Sequence, residues 1–228
     1  MASTGAWMGS GVDDRDIRKL RRGRFLGRTD DVGARAPDPE EISPKPKKGE
    51  FVVFSAHLER GLGLPVSPFF LEFLRFYGLQ PHHLGANCFT QLSCFVTLCE
   101  AYLGMWPSME IFSMFFFLRA QSTAGQQHDC GSVSIGTKNS PLPKIHLPDS
   151  IKKWQSTYFY VRNLTDVDRI GLPAFSDSRP THKSWSRKPP VDVHLENILF
   201  GRLKELVEAG LTSRDLTLSW LSRRIYPL

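Results

Sequence analysis

Long hydrophobic runs are missing from this 228-residue sequence. Its longest uninterrupted apolar run, Met114 to Leu118, is far short of the roughly 18 residues that a membrane-spanning helix needs. No membrane association is expected. The start, Met1-Ala2-Ser3-Thr4-Gly5, has no basic segment followed by an apolar stretch, so no leader peptide is expected either. Cysteine is scarce: Cys88, Cys94, Cys99 and Cys130. None of them forms a CxxC pair, and on a helix positions 88 and 99 share a face while 94 points away. A zinc site, with four converging ligands, is not expected. Core thiols in a reducing compartment are, and the protein should be intracellular, in nucleus or cytoplasm.

Catalytic signatures are also lacking. There is no phosphate-cradling GxxxxGKS/T loop, no zinc knuckle, no Asp-Ser/Thr-Gly protease loop and no paired-Asp polymerase motif. Between residues 51 and 120 the carboxylates are only Glu59, Glu72, Glu100 and Glu110. Asp149, Asp166, Asp168, Asp177 and Asp192 lie in a loop-rich region, where caps and solvated surface are the simplest use. A metal-dependent nuclease would need such acids to converge around two ions. The sequence therefore offers no catalytic residue, no metal ligand set and no cofactor site, and enzymatic activity is not expected.

What the chain does have is phenylalanine and positive charge. Twelve of its 16 Phe lie between Phe51 and Phe117, which concentrates the core in that third of the chain. Net charge is +6 and the pI about 9.3, a balance that suits anionic partners such as nucleic acid and equally a mildly basic surface. Two basic groups stand out. Arg18, Lys19, Arg21, Arg22 and Arg24 form the densest run, fit for phosphate neutralisation or nuclear targeting, or simply for solvation. Lys152, Lys153 and Trp154, with Arg162 in the Tyr158–Arg162 stretch, interleave rings with cations as a base-stacking strand would. The competing reading of that stretch is a half-buried strand, Phe159 and Val161 inward, Tyr158, Tyr160 and Arg162 outward. The adjacent His82-His83 pair points about 100° apart on a helix and is expected to cap or line a turn rather than to bind metal.

Residues 1–49 carry eleven Lys/Arg and eight Asp/Glu but few large apolar residues. They read as a disordered basic tail, with a transient helix from Asp13 to Phe25 and a Pro-rich linker. Proteolysis is expected to cut before Phe51. The globular domain is expected over 51–228. Phe51–Phe54 reads as a strand. Ser67-Pro68 caps a helix that Gly78 stops. Further helices are expected from Ala86 to Leu103 and from Met109 to Ala120, the last apolar on nearly every side over 111–118. Residues 121–190 read as short strands (131–135, 142–147, 157–161) and a polar loop whose Phe175 and Trp185 tuck onto the core. Helices return at Val193–Val207, stopped by Gly210, and at Ser213–Arg223. The fold class is thus α+β, helix-dominated, with a small antiparallel sheet.

The block Phe51 to Ala101 also resembles a known family. Phe51-Val52-Val53-Phe54-Ser55, Gly61-Leu62-Gly63-Leu64-Pro65, Ser67-Pro68-Phe69-Phe70, Gly78 to Leu84 (GLQPHHL) and Phe95 to Ala101 (FVTLCEA) follow one another as in the plant family "transposase (putative), gypsy type". The resemblance resumes at Leu147–Trp154, Tyr158–Asn163 and Gly210–Thr212, leading to Ser222–Arg224. It brings no catalytic residues with it. What it implies is a transposable-element-derived, non-catalytic protein, a coat-like or adaptor module whose apolar 111–118 helix meets a protein partner or a second copy. The alternative is a nucleic-acid-binding or transposase-like protein.

Overall fold

The computed structural model describes residues 7–121, 130–180 and 186–220. Order begins well before Phe51. Asp13 caps helix α1 (Asp14–Arg22) in a reciprocal capping box with Asp16, which satisfies two of the helix's free amides. Its Ile17 and Leu20 are buried. Strand β1 (Val32–Arg35) follows, then β2 (Phe51–Phe54). Both pair antiparallel with β5 (Tyr158–Asn163), giving the order β1-β5-β2. Val32 stands opposite Asn163 and Phe54 opposite Tyr158.

This corrects the expected disordered tail. The helix at 13–25 was legible, but its stability was not. Leu20, Leu26 and Val32 join the main core, and β1 supplies hydrogen-bond partners along one edge of β5. Few apolar residues suffice when the surface they cover already exists. Residues 41–45 and Ser10 also fold over the outer face of β5. The Tyr158 hydroxyl donates to the Glu41 carbonyl, the Tyr160 hydroxyl to the Glu41 carboxylate, and the Lys45 amide donates to the Tyr160 hydroxyl. Burial pushes the Glu41 carboxyl up, but the Tyr160 hydroxyl and nearby backbone amides outweigh it, and it sits below the ordinary value. Arg35 stacks over the Tyr160 ring at 4.0 Å and pairs with Glu50 at 2.7 Å. Tyr158 and Tyr160 are consequently buried, not outward as a half-buried strand would place them.

The anchoring predicts a stability effect. Leu20→Ala removes a buried side chain and should cost about 2–5 kcal/mol, and a chain beginning at Phe51 should melt lower or aggregate. Denaturant unfolding checks both, and a 51–228 fragment as stable as the whole would contradict the packing.

The Phe-rich block behaves as its local chemistry dictates. Helix α2 (Ser55–Glu59) leads into α3 (Pro68–Tyr77), where the Ser67 hydroxyl accepts from the Phe70 amide, Pro68 takes the first turn, and Gly78 closes the end at φ 62°. Only glycine adopts that left-handed geometry without a Cβ penalty. The segment Pro81–His83 makes one 3₁₀ turn. Helix α4 (Ala86–Thr97) continues as a π-helical turn to Leu103 before Gly104. Helix α5 (Met109–Phe115), capped by the Ser108 hydroxyl, is shorter than expected. The chain turns extended at Phe116 and forms β3 (Phe116–Ala120), paired antiparallel with β4 (Val133–Thr137). The run Met114–Leu118 is apolar throughout, and periodicity cannot separate helix from strand there. Residues 142–147 form no strand.

Rings from α3, α4 and α5 fill the centre: Phe112 meets Phe73 at 5.3 Å, Phe95 at 5.4 Å and Phe116 at 5.1 Å. Helices α6 (Val193–Glu208) and α7 (Ser213–Trp220) complete the described fold, with Leu199, Leu203 and Leu216 buried. Asp192 caps α6 by accepting from the His194 and Leu195 amides. Phe175 packs on Trp7 and His82, as expected. Trp185 and Ser222–Arg224 lie outside the described residues. No described helix is long and apolar enough to cross a membrane.

Candidate functional site

The two basic groups singled out in the sequence come to different ends. Arg18, Lys19 and Arg22 on α1 and Arg24 just after it are exposed. Lys19 pairs with Asp16 at 2.9 Å. Arg21 is spent on structure, donating to the carbonyls of Gly27 and Val32. Lys152 and Lys153 are exposed, but Trp154 is buried, 5.3 Å from Phe54 and 4.9 Å from His57. It offers no face to a base. Arg162 is exposed opposite Gly33 on β1, at the end of β5 away from Trp154. The aromatic and basic residues of 152–162 do not converge.

The expected partner-binding stripe at 111–118 is also occupied. Ile111, Phe112, Met114, Phe115, Phe116 and Leu118 are buried within the protein. Only Phe117 reaches solvent, 43% exposed. The segment forms the end of helix α5 and the alternating strand β3.

The carboxylates are used locally. Asp168 accepts from Asn163 and from the Ile170 and Gly171 amides, and those amides hold its carboxyl below the usual range. Asp177 accepts from the Trp7 indole, Asp192 caps α6, and the Asp149 carbonyl, not its carboxylate, receives Arg60. Among the described residues no group of three or more His, Cys, Asp or Glu is placed to hold a metal ion. All four cysteines are buried, and burial pushes Cys88 and Cys94 up to about 11. His83 caps its turn as the structural reading expects. Its Nδ1 accepts from the Gln80 amide, so the Nε2–H faces the Ser178 carbonyl at 2.7 Å.

One surface does bring binding chemistry together, and the sequence reading passed over it. An open groove of about 650 Å³ runs along β3 and is lined also by residues 186–189 and 191. That volume lies within the roughly 300–1,000 Å³ of typical ligand sites. Arg119, Lys138, Arg187 and Lys188 line it, and no Asp or Glu does among the described lining residues. Two of the four cations are positioned in advance. Arg119 Nε donates to the Ser134 hydroxyl at 3.1 Å. Arg187 lies 4.5 Å over the Phe76 ring and donates to the Phe76 carbonyl. The carboxylates at the groove's end face backbone amides instead: Glu110 accepts from Asp192 N, and Asp192 from its own helix. Tyr77, on the inner wall, is pushed up to about 12 by burial and stays a neutral phenol. The four cations are up to 69 positions apart in sequence, which is why no local run announced them.

The helical block behind this groove is similar to a known family. Residues 52–120 match the family described as "Putative gypsy type transposon". The matched segment runs from β2 through α3, α4 and α5 to the end of β3, so it holds much of the aromatic core and one wall of the groove. The match supports a mobile-element origin for the chain. Comparison with curated proteins and with solved structures gives no match.

Proposed function

We propose that this chain is a non-catalytic interaction module of a plant gypsy-type mobile element, coat-like or adaptor-like, that holds an anionic macromolecule in the groove along β3. The carrying observation is the groove itself, with four cations from three separate segments, two of them pre-positioned, and no carboxylate in the described lining. Pre-positioned side chains lose less freedom when a partner binds. The gypsy-type match gives the context, and the buried thiols of Cys88, Cys94 and Cys99 suit the reducing interior of nucleus or cytoplasm.

The experiment is salt elution from immobilised heparin, a sequence-blind polyanion. The Arg119→Gln/Lys138→Gln/Arg187→Gln/Lys188→Gln variant should elute at clearly lower salt than the parent, with the same melting temperature within a few degrees, because all four side chains are at the surface. Equal retention would overturn the assignment of the groove.

A further inference from the structure

We infer that the groove's ligand is single-stranded nucleic acid, with Phe117 as the stacking platform for a base; this rests on the anionic-partner reading above. The charge lining alone would suit any polyanion. What singles out a nucleic-acid strand is the ring set among the cations.

Phe117 is the one member of the Met114–Leu118 run left in solvent. It lies flat over the opposite strand because Gly136 is its partner in the β3–β4 ladder. A Cβ added at Gly136 would come within 2.5–2.9 Å of the Phe117 ring, closer than atoms can approach. The glycine thus lets one face of the ring rest on backbone while the other stays open. Alternate residues of a strand share a face, so Phe117 and Arg119, both exposed, sit side by side along β3. Lys138 follows the end of β4, and Arg187 and Lys188 face them across the groove. A ring with an open face beside a row of cations is the arrangement that binds single strands, bases stacking while Lys and Arg meet the phosphates.

A duplex presents its bases stacked inside and would leave Phe117 unused. An acidic peptide is the other polyanion to weigh. It could add to β3, whose second edge carries no strand among the described residues, but strand addition uses main-chain hydrogen bonds and gains nothing from a ring held over glycine.

The test uses fluorescence anisotropy with labelled oligothymidine of about 12 nucleotides, within the roughly 4–16 that such sites cover, a duplex of equal length, and a polyglutamate peptide. Oligothymidine should bind most tightly. The slope of log K against log salt should be near −2.8, about −0.7 for each of four neutralised phosphates, and each single cation-to-Gln change should flatten it by about 0.7. Phe117→Ala should weaken oligothymidine at least about fivefold while leaving heparin elution unchanged, and Phe117→Trp should restore affinity. Gly136→Ala, which displaces the ring and removes no charge, should weaken oligothymidine in the same way. If Phe117→Ala binds oligothymidine like the parent, or if duplex or polyglutamate binds more tightly, the inference is wrong. The heparin result then stands separately and tells whether the groove binds anions at all.

Discussion

Phe115→Asp is expected to abolish folding at neutral pH and room temperature. Phe115 has no solvent-exposed surface, stacks on Phe200 of α6 at 5.6 Å and touches Phe116 edge-on. It ties the gypsy-type block to the C-terminal helices. Truncating a buried Phe to Ala costs about 3–5 kcal/mol. An unpaired carboxylate in the same place adds a desolvation penalty of several kcal/mol, and the sum rivals the whole stability of an ordinary domain, about 5–15 kcal/mol. Circular dichroism melting decides the matter. A cooperative transition at the parental temperature would mean that α5 does not face the core.

The second large effect is acid lability that begins well above carboxylate pKa values. His57 is fully buried, with Phe89 at 4.1 Å, Phe54 at 4.7 Å and Trp154 at 4.9 Å. Burial lowers its pKa to about 3, partly offset by the backbone of Leu84. Burial, followed by the neighbouring His83 and His57, also lowers His82 well below its ordinary value. A depressed histidine favours the fold while neutral. That stability is complete above the unfolded pKa of about 6.5 and is lost as pH falls toward the folded value. Each pH unit in the window costs on the order of 1 kcal/mol, so His57 alone removes roughly 2 kcal/mol between pH 6.5 and 4.5. Below that, carboxylates held low by partners, Glu50 by Arg35 and Asp168 by backbone amides, add their own losses. Urea unfolding from pH 7 to 4.5 should show this slope, and His57→Phe should flatten it. A slope unchanged by that substitution would contradict the burial of His57.

Much of the fold could be read from local chemistry. Ser67, Pro68 and Gly78 bracket α3 because cap, first-turn proline and left-handed glycine each have one favourable place. The strands at Phe51–Phe54 and Tyr158–Asn163, and the helices capped by Ser108, Asp192 and Thr212, follow from the same rules. The two main misreadings are one error seen twice. Residues 7–49 look unable to fold because their apolar residues are few, yet Leu20, Leu26 and Val32 need only cover a core that the rest of the chain provides. Once Glu41 and Lys45 lie across β5, Tyr158 and Tyr160 must be buried, and Trp154 goes with them into the same cluster. The expected nucleic-acid strand thereby became core. The groove was illegible for a different reason: its cations come from β3, the end of β4 and residues 187–188, which the β3–β4 pairing and the packing of the 186–191 segment bring to one groove with Phe117.

The central claim is that binding resides in this groove and not in the conspicuous basic helix α1. The most direct measurement compares two charge-matched variants for oligothymidine affinity at one salt concentration, Arg119→Gln/Lys138→Gln/Arg187→Gln/Lys188→Gln against Arg18→Gln/Lys19→Gln/Arg22→Gln/Arg24→Gln. Each removes four positive charges, so a general effect of net charge would weaken both equally. The account expects the groove variant to lose most of the affinity and the α1 variant to stay close to the parent. Loss confined to the α1 variant, or equal loss in both, would contradict it.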